Sequence, residues 1–134
     1  MDPILSISTM LNSADMFYIT IVNGHKPFVM PTKIKLFRNN RILFAVEKYS
    51  YEHTLMIERP RLSVVAAISH DRSLIYEGTV AFVEDEELTR VILRRVPDLK
   101  RYYNELTGKT LQWFYLSNPS AYLQYTIGER QRIL

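Results

Sequence analysis

Apolar positions along this chain fall into short runs broken by turn residues, and the period of each run names an element. Asp2 can cap a helix with Pro3 at its first position, and Ile4, Ile7 and Leu11 then share one face. "MFYITIV", Met16 to Val22, is β-branched and aromatic, which predicts a strand ending at the turn signal Asn23-Gly24. The returning run "PFVMPTKIKLF" alternates after Pro31, with Lys33 and Lys35 on one face and Thr32, Ile34 and Leu36 on the other. Arg38-Asn39-Asn40-Arg41 reads as a second turn and "ILFAV" as a third strand.

Ser50 can cap a short helix that Pro60 ends near Arg59. "LSVVAAI" and "LIYEGTVAFV" predict strands four and five around a turn at His70-Asp71-Arg72-Ser73, and Gly78 suggests a bulge or a close backbone approach. "EDEELTRVILRRV" carries its acids first and its arginines last, as the helix macrodipole favours. Pro97 ends that helix, and Asp98 can cap another that packs Leu99, Tyr102, Tyr103 and Leu106, with Gly108 as its C-cap. "LQWFYLSNP" and "AYLQYTI" read as a last strand pair, or as one strand interrupted at Asn118-Pro119. Antiparallel strands joined by hairpins, with few exposed edges, favour a small barrel, so the expected class is α+β with about six strands and flanking helices.

Composition narrows this picture. A chain of 134 residues fits one domain, and 47% hydrophobic content with 23% charged residues supports a folded core. There is no run of 18 to 20 apolar residues and no basic leader after Met1-Asp2-Pro3, so a soluble cytoplasmic location without membrane contact is expected. With no cysteine and only His25, His53 and His70, a structural zinc site is not expected. The net charge of +3 is spread along the chain rather than clustered, which argues against nucleic acid but suits a small anion.

Candidate chemistry gathers at Ser50 to Thr54. Free N–H groups at a helix start favour an anion, Ser50 and Thr54 add hydroxyls, and His53 adds a charge if protonated. Lys33 and Lys35 share a strand face that could reach the same anion. The plain alternative, that Ser50 only caps a helix and the lysines are solvated, stays open. No nucleophile elbow and no phosphate loop occurs, so an enzymatic role would rest on a cofactor.

Four ordered segments carry a resemblance: "ITIVNGHKPFVMPTKIKLFRNNRILFAV", "YSYEHTLMIERPRLSVVA", "YEGTVAFVEDEE" and "FYLSNPSAYLQY". Together they resemble the FMN-binding split-barrel family related to pyridoxamine 5′-phosphate oxidase, over nearly the whole chain. The resemblance implies a six-stranded split β-barrel, a homodimer, and FMN in a groove between subunits; a deazaflavin or haem in its place stays open. It implies that Lys35 matches the lysine ending the family's phosphate motif, with Lys33 beside it. Ser50 matches the loop serine, with Tyr51, His53 and Thr54 around it. Val46 matches a position whose backbone faces the flavin, and Ser73 falls near a glutamine that approaches the ring. Tyr51 and Glu52 stand where the family carries an arginine–lysine pair, and the oxidases' C-terminal substrate signature is absent.

Three functions follow as expectations: an FMN-dependent oxidoreductase of unknown small-molecule substrate, a non-catalytic split-barrel ligand-binding or interaction protein that has lost flavin binding, and an OB-type nucleic-acid binder.

Overall fold

The computed structural model describes residues 2–134. Asp2 caps helix α1 (Pro3–Ser13), its carboxylate accepting from the Ile4 N–H at 2.9 Å. Strands β1 (Phe17–Asn23) and β2 (Lys26–Thr32) form a hairpin around Gly24, whose φ of +67° suits glycine. Strands β3 (Lys35–Arg38) and β4 (Arg41–Glu47) form a second hairpin, with Asn39 and Asn40 at φ of 53° and 58°. Positive φ at both central residues is the type I′ geometry that matches strand twist.

Helix α2 (Tyr51–Glu58) follows, then β5 (Arg61–Ser69), β6 (Arg72–Val83), α3 (Glu86–Arg95), a 3-10 turn over Pro97–Arg101, β7 (Leu111–Tyr125) and β8 (Arg130–Arg132). All strand pairs are antiparallel, in the order β2-β1-β5-β6-β7-β4-β3 with β8 on β7.

The sheet therefore has eight described strands rather than the expected six. The additional ones come from β8 and from a break in the run "PFVMPTKIKLF". That run is not one strand: β2 pairs with β1, β3 pairs with β4, and Lys33-Ile34 links them. The two ends of the sheet are thus joined by two residues of chain, yet are not hydrogen-bonded to each other. Two residues span at most about 10 Å, so the sheet must curl until its edges nearly meet. It is curled but unclosed.

Inside the curl lies a core that includes Ile7 and Leu11 of α1, Phe17, Phe44, Tyr76 and Phe114. Outside it, α3 packs Leu88, Val91 and Ile92 on Leu36, Leu43, Ala45 and Trp113, and the Trp113 indole donates to Thr89 Oγ1 at 3.0 Å. Strand β4 is consequently buried on both faces, which explains why "ILFAV" does not alternate.

Strand β7 runs unbroken through Asn118 and Pro119, resolving the choice between a strand pair and a single strand. Asn118 and Pro119 together oppose Gly78, a bulge that excuses proline from the ladder. A Cβ on Gly78 would lie 2.9 Å from the Ser117 carbonyl, so the close approach expected there is real. The helix expected after Asp98 is only the 3-10 turn.

Candidate functional site

The stretch after β4 turns sharply. Tyr49 sits at φ 68°, and its N–H donates to His53 Nδ1 at 2.9 Å. Ser50 caps α2: its hydroxyl donates to the Glu47 carbonyl at 2.6 Å and accepts from the His53 N–H at 3.2 Å. Thr54 donates its hydroxyl back to the Ser50 carbonyl. Tyr51 leans the other way, edge-on to Phe28 with its OH 3.4 Å from Asn23 Nδ2. The Ser50 and Thr54 hydroxyls, the Tyr51 phenol and Nδ1 of His53 each have a partner within the protein.

His53 is buried and lies edge-on to Phe82. Burial lowers its pKa, the Lys48 ammonium lowers it further, and Glu84 opposes both. Because Nδ1 accepts a hydrogen bond, the ring is neutral with its proton on Nε2. His53 is thus not the charged donor its sequence position suggested.

The two lysines lie elsewhere. Lys33 and Lys35 line a hollow of about 290 Å³ with Asn12, Asp15 and Phe17, between the end of α1 and the start of β1. The Lys35 ammonium donates to the buried Ser8 hydroxyl at 2.9 Å. Burial holds its pKa below the usual lysine value, and the nearby Arg95 charge adds to that.

Val46 lines a separate hollow of about 190 Å³, bounded by Met30, Thr32 and Ile34 and by three groups with polar ends: Glu47, Glu52 and Tyr103. Ser73 is on β6, opposite Ala67 and Gln124. Of the eight sequence candidates, then, Ser50, His53 and Thr54 meet in one cap and Lys33 with Lys35 in one hollow, whereas Val46, Tyr51 and Ser73 face other surroundings.

Sequence reasoning missed Glu47 and Tyr103 as groove residues. Glu47 carries a signal, a charge closing the apolar run of β4. Tyr103 carries none, because it arrives from the distant segment after the 3-10 turn. Burial raises the Tyr103 pKa, and the Glu47 and Glu52 carboxylates raise it further.

No protein-family model matches the sequence, and neither does any curated protein. Solved structures do match in fold. A NimC/NimA family protein from Clostridium acetobutylicum superposes with a TM-score of 0.81 at 18% identity, over 97% of this chain and 90% of that one. General stress protein 26 from Bacillus anthracis str. Sterne gives 0.69 at 18% identity, over 98% and 99% of the two chains. A putative pyridoxamine 5′-phosphate oxidase from Listeria innocua gives 0.62 at 14% identity, over 92% and 97%. The curled, unclosed sheet is therefore a split barrel, the fold shared by these proteins. Among the described residues no helix is long and apolar enough to cross a membrane.

Proposed function

We propose that this protein is a homodimeric flavin-binding split barrel, an FMN-class oxidoreductase acting on a small molecule. The observation that carries this reading is the fold with a hollow beside Val46, at the exit of β4, where the resemblance puts the flavin. A bound flavin would supply hydride or electron transfer, and the chain's part would be to orient the ring and keep water away.

The fit is uneven. Met30, Thr32, Ile34 and Val46 suit one edge of a flat ring. The residues do not fit FMN's phosphate, since Glu47 and Glu52 face the hollow while Lys35 is tied to Ser8.

Pairing of two copies is supported by an apolar row on the outward face of the sheet. Tyr18, Val65, Ile75 and Tyr122 are successive cross-strand partners on β1, β5, β6 and β7. Tyr18 is 42% exposed, and Val65, Ile75 and Tyr122 are part-buried.

One observation favours a second reading, a non-catalytic split barrel that has lost flavin binding: the Ser50, His53 and Thr54 groups are already satisfied within the chain. An absorbance spectrum of the purified protein, with mass spectrometry of what it releases on denaturation, decides between them. A released flavin supports the first reading. Neither bound flavin nor uptake of added flavin at high micromolar concentration rejects it. Light scattering after gel filtration tests the dimer, and a monomer would reject that part.

A further inference from the structure

The hollow beside Val46 combines apolar side chains, Met30 and Ile34 among them, with two carboxylates, Glu47 and Glu52. Glu52 stands in the first turn of α2, and among the described residues no cation pairs with it. Glu47 has one ionic partner, Lys109 at 3.8 Å, a lysine more than half exposed. The Lys33 and Lys35 charges open onto the other hollow, beside α1. Tyr103 lies close enough to both carboxylates for each to act on its hydroxyl, which places all three groups around one space.

Glu52 alone is explained by the helix dipole, which favours an acid in the first turn. That explanation does not extend to Glu47, which lies on β4 and faces the same space. A phosphate dianion brought here would meet two like charges at short range in a partly desolvated setting, enough to change affinity by tenfold or more. An uncharged ring meets no such penalty, and Tyr103 supplies an aromatic side chain to the lining.

Resting on the flavin reading above, we infer that the groove selects a flat ring without an anionic tail: a dephosphorylated flavin of the riboflavin kind in preference to FMN. The Glu47–Glu52 pair acts against phosphate, while Met30, Ile34 and Tyr103 of the same lining carry no charge that an uncharged ring would oppose. Specificity of this sort comes from a repulsive element as much as from an attractive one.

The test titrates the purified full chain with riboflavin and, separately, with FMN, following flavin fluorescence at low and at high ionic strength. At low salt riboflavin is expected to bind at least tenfold tighter, about 1.4 kcal/mol. Added salt shortens the Debye length and should narrow the gap. Glu52→Lys should reverse the order. Glu52→Gln, which keeps the size of the side chain, should narrow the gap in case the lysine variant fails to fold. FMN binding as tightly as riboflavin to the unmodified protein overturns the inference and leaves the flavin reading standing. No binding of either compound at high micromolar concentration overturns both. A preference that responds neither to salt nor to the Glu52 variants also overturns it, because charge would then not be the cause.

Discussion

The Tyr49 N–H donates to Nδ1 of His53 across 2.9 Å, and this one bond holds a tyrosine in the left-handed region at φ 68°. The bond exists only while Nδ1 is unprotonated, so the turn between β4 and α2 is linked to the charge state of a buried ring.

Acid should loosen that turn. The folded His53 pKa lies below the ordinary value of 6.5, so between the folded and unfolded values the unfolded chain binds more protons. The stability of the neutral form is complete above pH 6.5 and falls as pH drops through the window below it. Urea unfolding across pH 4.5 to 7.5 should show this slope, and His53→Gln should flatten it. A slope unchanged in the variant would exclude His53 as its source. The substitution itself should cost about 1–2 kcal/mol at pH 7.5, since it disturbs a buried hydrogen bond.

Alkali acts on a different residue. Burial pushes the Tyr76 phenol up to about 12 from 10, and the side chain is only 2% exposed. The folded state therefore keeps its proton where the unfolded state loses it, and stability should decline as pH rises from 10 to 12. The loss is bounded by roughly 2–3 kcal/mol for two pH units. Tyr76→Phe should remove that part of the decline in alkaline unfolding curves.

Phe44 is fully buried at the centre of the inner core, with ring centroids 5.7 Å from both Phe17 and Phe114. Phe44→Ala should lose about 3–5 kcal/mol by leaving a cavity that three strands cannot collapse. Denaturant unfolding measures this directly. A loss below 1 kcal/mol would mean that the inner core is not packed as described.

Gly78→Ala tests the bulge between β6 and β7. The new methyl would lie 2.9 Å from a backbone oxygen and 3.0 Å from Leu116 Cβ, and neither is the free end of a side chain. The strands must separate locally, at about 1–3 kcal/mol. Hydrogen exchange should quicken at Thr79 and Val80 before it does in β1.

Much of the molecule was legible in the sequence because the deciding forces there are local. Asp2 and Ser50 cap their helices through bonds to residues two and three positions on, and Asn39-Asn40 and Gly24 supply the positive φ that their hairpins need. The turn and strand signals indicated a small antiparallel barrel, and the ordered family resemblance indicated a split one, although neither gave its count of strands. The run "PFVMPTKIKLF" misled because its alternation continues across Lys33-Ile34, where the chain passes from one edge of the sheet to the other. Alternation reports which face a side chain takes, not which strand it pairs with.

The candidate site was decided by tertiary contacts. Lys35 reads as a free cation in sequence, but α1 brings Ser8 to its ammonium. His53 reads as a donor, but the turn at Tyr49 makes it an acceptor. Tyr103 reads as helix packing, yet it closes a hollow with Glu47, more than 50 residues away. Caps and turns involve neighbours a few residues apart, so sequence by itself determined them. The partner of a charge and the lining of a hollow are set by segments that meet only when the sheet curls, and that only the folded chain decides.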